Sequence, residues 1–296
     1  MTVRGKKQTA KSYDNFKAIV TLRFMKHLKR FFCPNIPPTG KIVLDAEQSN
    51  HLKNTLRLEI TSEVEIFSNN KSYLAKVASI NNSGLVELTI ISRQDKELPL
   101  ILPEITLACA IAKGSRMDWL IEKTAELGLA KLIPLITERT IVRPEGLHKI
   151  DRWRKLAIAA AKQCGQDSIL DITSPITFNN LKDTIITNSS TGTVSHSDPY
   201  SAKAERSTKN HAVSLIALPN AERYLPEVLK SQPKTGNQKI LYLIGPEGDF
   251  TPAEADKAVE WGAQPVRLPL NAVLRVETAA IAMLAMIFYE TGKMNR

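Results

Sequence analysis

From Ile105 onward the chain alternates between two rhythms. Ile105–Ile111, Leu132–Ile136, Val213–Leu218 and Ile240–Ile244 are short, mostly apolar runs, as expected of strands covered on both faces. Between them lie helical spacings: Met117, Leu120, Ile121, Thr124 and Leu127, then Trp153, Leu156, Ala157, Ala160 and Cys164. Gly128 and Gly165 are placed to close those helices. Strands alternating with helices predict an α/β fold around a mostly parallel sheet. The front of the chain differs. Val64–Phe67, Tyr73–Ile80 and Leu85–Ile91 are strand-like, separated by Ser68-Asn69-Asn70-Lys71 and Asn81-Asn82-Ser83-Gly84. Asn and Gly accept the positive φ of tight hairpins, so a compact β-barrel is predicted there. Thr187–Asn210 is rich in Ser, Thr and Asn without apolar period, and reads as a surface loop.

Chemistry concentrates after Lys239. The strand Ile240–Ile244 runs into Gly245-Pro246-Glu247-Gly248, where glycines permit close backbone approach and proline stiffens the turn. Thr251-Pro252-Ala253-Glu254 is a capping box with proline at the first helical position, opening a helix that should end near Gly262. Strand, tight loop and helix in this order form the place where parallel sheets bind ligands. Val266-Arg267-Leu268 reads as a short strand, Pro269–Leu274 as an irregular loop, and Arg275-Val276-Glu277-Thr278 as the approach to an apolar helix, Ala279–Tyr289. Taken alone, the loop could be a plain βα turn and Arg275 with Glu277 a structural ion pair.

Composition narrows the picture modestly. Of 296 residues, 43% are hydrophobic and 24% charged, which is ordinary for a globular chain and unlike a disordered one. The net charge is +10, yet residues 1–32 hold nine Lys/Arg against Asp14 alone. The basicity is therefore an N-terminal arm, either a polyanion contact or a solvated tail. A transit peptide or a start at Met25 would each account for it. Cys33, Cys109 and Cys164 are far apart, and the histidines lack ligand spacing, so neither a disulfide framework nor a metal site is expected. A reducing, cytoplasmic setting fits. No apolar run approaches the roughly 20 residues that span a bilayer.

Together these segments resemble the RsmE family of 16S rRNA (uracil-N3)-methyltransferases, of the SPOUT class. The resemblance rests on Ile244-Gly245-Pro246-Glu247-Gly248-Asp249-Phe250 and Val273-Leu274-Arg275-Val276-Glu277-Thr278-Ala279. It extends to Lys113–Asp118, Lys123–Gly128, Thr137–Thr140, Arg152-Trp153 and Ala160–Gly165, and at the front to Lys29–Phe32 and His51–Leu58. The sequence departs from the family pattern at Asp249, where a second Gly is usual. It departs again in the longer Pro269-Leu270-Asn271-Ala272 loop, and at Gln166, where Arg is usual.

The resemblance implies a basic extension at 1–24, a PUA-like RNA-binding β-barrel at 25–97 and a SPOUT methyltransferase domain at 98–296. That domain would be an α/β fold, a parallel sheet with a C-terminal deep trefoil knot. It implies S-adenosylmethionine as cofactor, held by Leu218, Leu243, Ile244, Gly245, Pro246, Glu247, Gly248, Leu268, Leu274 and Thr278. It implies Arg275 and Glu277 as catalytic residues, and RNA contacts from Arg30, Lys53, Arg57, Arg116 and Arg139. The partners implied are small-subunit ribosomal RNA or the assembled subunit, and a second copy in a homodimer. Two other classes compete: an RNA-binding protein with a degenerate catalytic domain, and a nucleotide hydrolase, the latter weakened because no Lys-Ser/Thr comes after the glycines.

Overall fold

A computed structural model of the chain describes residues 28–37, 40–68, 70–94, 103–141, 147–189, 212–232, 238–270 and 272–293. The chain divides into two compact units, Met1–Ile66 with Tyr73–Arg93, and Phe67–Ser72 with Gln94–Arg296. The basic arm before residue 28, most of the Thr187–Asn210 stretch and Asn271 lie outside the described residues.

The first unit is built on β1 (Lys29–Phe32), β2 (Lys41–Val43), β3 (Glu63–Ser68), β4 (Lys71–Ile80) and β5 (Val86–Gln94), with helix α1 (Ala46–Asn50) running into a π-helical turn, His51–Thr55. The sheet order is β1-β3-β4-β5-β2. The expected turns form as their residues dictate. Asn70 and Gly84 take φ of 61° and 75°, and the Asn81 side chain accepts from Leu85 N–H at 2.9 Å. Phe31, Leu52, Ile66 and Leu88 are buried in this unit's own core.

The second unit carries β6 (Glu104–Ala110), α2 (Ser115–Glu126), β7 (Lys131–Ile136), α3 (Leu147–Cys164), β8 (Asp171–Ile172), β9 (Ile176–Thr177), α4 (Lys182–Ser189), β10 (Ala212–Ala217), α5 (Leu225–Lys230), β11 (Lys239–Ile244), α6 (Pro252–Glu260), β12 (Gln264–Val266) and α7 (Val276–Lys293). Its sheet runs β12-β10-β11-β6-β7-β8, with β9 pairing β7. The pairs are parallel: Ile216 opposite Leu243, Leu243 opposite Ala108, Ala108 opposite Ile133. The sheet is covered on both sides, which is why its strands are continuously apolar. Leu107, Tyr242 and Leu215 belong to one core cluster, Ala108, Leu243 and Ile216 to the other.

Two boundaries correct the sequence reading. Val276, Glu277 and Thr278 are the first turn of α7 rather than its approach. An acidic residue there is favoured by the amide dipoles at a helix start, so the polar segment does not delay the helix. The expected strand Val266–Leu268 is shifted back to Gln264–Val266, so that Arg267 and Leu268 lie just beyond its end. α7 is anchored to the sheet by Tyr242, whose buried hydroxyl donates to Ala280 O at 3.1 Å. Among the described residues no helix is long and apolar enough to cross a membrane.

Candidate functional site

Three neighbouring strands, β10, β11 and β12, run parallel and stop together at Ala217, Ile244 and Val266. At their carboxyl ends is a cavity of about 190 Å³. Ligands settle at such ends because loops, not side-chain-filled sheet, form the walls. Leu218 follows β10, Gly245 and Pro246 follow β11, and Leu268 and Leu274 follow β12; all five line the cavity, with Ile244 and Glu247. Val276 and Ala279 of α7 complete the apolar wall.

The loop after β11 closes as tightly as it does because glycine occupies its first position. A Cβ on Gly245 would stand 2.9 Å from Phe250 N and 3.1 Å from Asp249 Oδ1. Asp249 takes a φ of 62°, a left-handed conformation that Asp tolerates better than most residues. Its N–H donates to Pro246 O at 2.9 Å, and its Oδ1 accepts from Phe250 N–H at 2.8 Å. Asp249 therefore takes the turn without a glycine, and it is among the residues lining the cavity.

Partial burial raises the Asp249 carboxyl above its ordinary value, against the lowering effects of the Phe250 hydrogen bond and Arg139. A raised acid binds its proton more tightly in the folded state. Its contribution to stability is thus present below the usual Asp value of about 3.9 and is lost as pH rises through the folded value. Asp249→Asn should therefore gain stability relative to the parent as pH rises from about 3.5 to 7, read by urea denaturation. A gap that does not change with pH would contradict this account of Asp249.

Other elements brace the loop. Glu254 is buried in α6. Its Oε2 accepts from Thr251 N–H at 3.0 Å, completing the capping box, and its Oε1 accepts from Glu138 N–H at 2.9 Å. One carboxylate thus ties the start of α6 to the loop after β7. Glu254→Ala should cost about 2 kcal/mol in denaturant titrations, because a cap and a second buried amide lose their acceptor together. A loss below about 0.5 kcal/mol, the level of an ordinary surface change, would show that the brace carries nothing.

The expected site residues separate into groups. Leu218, Ile244, Gly245, Pro246, Glu247, Leu268 and Leu274 meet around the cavity. Leu243 does not: it is wholly buried and packs in the sheet core with Ile216 and Phe250, since alternate strand residues face opposite sides. Gly248 and Thr278 are exposed and do not line this cavity. Arg275 is exposed between the lining residues Leu274 and Val276 without lining the cavity itself. Glu277 is buried, its Oε2 without a hydrogen-bond partner, and no ion pair joins it to Arg275 among the described residues.

The residues expected to contact RNA have the following partners in the fold. Arg30 is spent within its own unit: its guanidinium pairs with Glu65 at 3.2 Å and its side chain is 7% exposed, because β1 lies beside β3. Lys53 donates to Gly84 O at 2.5 Å, holding the β4–β5 turn. Arg116 pairs with Glu247 at 3.2 Å and Arg139 donates to Gly248 O at 2.6 Å, so both grip the cavity loop. Arg57 remains exposed. Arg267, missed by the sequence reading, lines the cavity. Nearby, Cys109 is wholly buried. Burial, then the carboxylates of Glu247 and Glu277, push its thiol far above the ordinary range, which keeps it protonated and unreactive.

A model of the RNA methyltransferase domain family matches residues 99–288. The chain belongs to this family. As an RNA methyltransferase domain chain it is 26% identical over 266 residues to the ribosomal RNA small subunit methyltransferase E of Buchnera aphidicola, covering 86% of this chain and 92% of that protein. A methyltransferase structure from Legionella pneumophila, in complex with the bound cofactor S-adenosylmethionine, aligns with TM-score 0.69 at 28% identity, over 88% of this chain and 96% of that one. The ribosomal RNA small subunit methyltransferase E of Neisseria gonorrhoeae, bound to S-adenosylmethionine, aligns with TM-score 0.69 at 26% identity, over 88% and 97%. The Buchnera and Neisseria relatives carry the name of the RsmE family, in agreement with the resemblance drawn from the two C-terminal loops.

Proposed function

We propose that this chain transfers a methyl group from S-adenosylmethionine to N3 of a uridine in small-subunit ribosomal RNA. The observation that carries the reading is the cavity itself. Four leucines line it, and the backbone of Gly245 stands where a Cβ would crowd the loop, in a chain whose relatives are solved with that cofactor. The residues present fit the group: Leu218, Leu268 and Leu274 offer apolar surface for an adenosine, and the loop backbone offers amides and carbonyls for its edge.

When bound, S-adenosylmethionine supplies an electrophilic methyl on a sulfonium centre. The protein's own task is to make a uracil N3 nucleophilic, although its N–H is only weakly acidic. Arg275 neutralises the charge that gathers on a uracil carbonyl oxygen as the proton leaves. Glu277, which makes no ion pair with Arg275, relays the proton, and water takes it away. Val276 and Ala279 add apolar wall to the cavity.

The reading includes a trefoil knot formed by the segments after β11 and β12, a PUA-like first unit that holds RNA, and a cytoplasmic setting. Arg57, Arg116 and Arg139 serve the RNA, the latter two also bracing the loop. It includes a homodimer. The middle of α7 is apolar on more than its buried face: Met283, Leu284 and Ile287 are buried, while Tyr289 is 62% exposed and Met286 and Phe288 are half-buried, a pattern that suits a partner surface. A degenerate, merely RNA-binding domain is the less economical alternative, because Asp249 is accommodated in the loop and leaves the cavity open.

Mass mapping of small-subunit RNA from a strain lacking the gene tests the reaction. Loss of one N3-methyluridine, restored by the gene, is expected; an unchanged modification map would overturn it.

A further inference from the structure

One residue lining the cavity, Arg267, carries a charge that no carboxylate among the described residues pairs. Arg267 is the single Lys, Arg or His among the described lining residues. Its half-buried guanidinium lies 4.3 Å over the ring of Tyr224, and its Nε is buried with no hydrogen-bond partner. The two lining carboxylates are engaged elsewhere, Glu247 with Arg116 and Asp249 with the Phe250 amide. No carboxylate of the described residues pairs with Arg267.

A half-buried charged donor without an acceptor is costly, and such a cost persists where a ligand relieves it. The cation–π contact with Tyr224 restrains the guanidinium in advance, so less freedom is lost when an anion docks. The short strand β12 stops at Val266, and backbone bonds on both sides of Tyr224 hold Arg267 in place: Arg267 N–H donates to Arg223 O at 3.0 Å and Leu225 N–H to Arg267 O at 2.9 Å. The position is rigid.

Resting on the proposal that the cavity takes S-adenosylmethionine, we infer that Arg267 receives the α-carboxylate of the cofactor's amino-acid tail. The chemistry selects this group. S-adenosylmethionine carries two cationic centres, the sulfonium and the ammonium, and both repel a guanidinium. Its carboxylate alone rewards one, with the paired N–H···O geometry that Arg provides and Lys does not. Arg267 is thus a specificity residue for the intact cofactor over tail-less nucleosides.

Calorimetry on the full chain tests this without relying on turnover. Three probes share one adenosine thioether: S-adenosylhomocysteine, its decarboxylated amine, and 5′-methylthioadenosine, which lacks the whole tail. On the parent protein the decarboxylated amine should bind at least about thirtyfold more weakly than S-adenosylhomocysteine, as loss of a charge-assisted pair predicts. Arg267→Met and Arg267→Gln should each weaken S-adenosylhomocysteine by a similar factor and leave 5′-methylthioadenosine within about threefold. Arg267→Lys should fall between. Equal binding of the carboxylated and decarboxylated probes by the parent would overturn the assignment, whether or not the variants fold. Equal weakening of all three probes by the variants would overturn it too, reducing Arg267 to a wall of the adenosine pocket. A parent that binds none of the three removes the cofactor reading itself, and this inference with it.

Discussion

Arg275→Ala is expected to slow methyl transfer about a thousandfold while leaving cofactor affinity within about tenfold. The first figure is what a preorganised donor contributes when it meets charge that develops only in the transition state, about 4 kcal/mol. The second comes from position. Arg275 is exposed and does not line the cavity, although Leu274 and Val276 on either side do. Its removal takes no wall from the pocket, and its backbone role, accepting from Ala279 N–H at 2.8 Å, survives in any residue. Arg275→Lys should recover part of the rate, since charge remains but the fork does not. Single-turnover methyl incorporation and calorimetry, run on the same preparation, separate the two effects. Near-normal turnover in the alanine variant would remove Arg275 from the mechanism, and a collapse of cofactor binding would make it a structural residue.

The second large effect concerns two glycines that look equivalent in sequence. Gly245→Ala places a methyl 2.9 Å from the Phe250 backbone nitrogen, closer than a real Cβ comes to any atom. The nitrogen is already donating to Asp249 Oδ1, so relief requires the loop to open. Overpacking of this kind costs about 2 kcal/mol, which appears as roughly a thirtyfold loss of cofactor affinity because the loop is a cavity wall. Gly248→Ala meets only the Arg139 side chain, at 3.4 Å, an ordinary contact with a flexible partner. Its affinity should stay within about threefold of the parent. If both variants bind alike, the close approach at Gly245 is not what shapes the site.

That contrast shows how far sequence reasoning reached. The run Ile240–Ile244, the loop behind it and the Thr251–Glu254 capping box were legible because each is a local pattern with a local cause: burial on two faces, backbone freedom, and reciprocal caps. Which leucine faces the cavity was not legible. In a strand covered on both sides every position is apolar, so Leu243 and Leu218 read alike although one is core and the other wall. The start of α7 was misplaced for a related reason. Glu277 and Thr278 looked like a polar approach, but a first helical turn welcomes an acid.

Charges were the least legible. Residue type gives the sign of Arg30, Lys53, Arg116 and Arg139, but their partners, Glu65, the Gly84 carbonyl, Glu247 and the Gly248 carbonyl, lie 35, 31, 131 and 109 positions away. Only the fold brings such pairs together. Arg267 was hidden in the same way: on paper it is the polar member of a short strand, and its cation–π contact with Tyr224 is a tertiary fact.

On the proposed function, the carboxyl ends of β10, β11 and β12 enclose the adenosine of the cofactor. A crystal structure of the protein grown with S-adenosylhomocysteine measures this most directly. The account predicts the adenine between Leu218, Leu268 and Leu274, with its sugar against Gly245. A nucleoside bound anywhere else, or an empty cavity at saturating ligand, would contradict it.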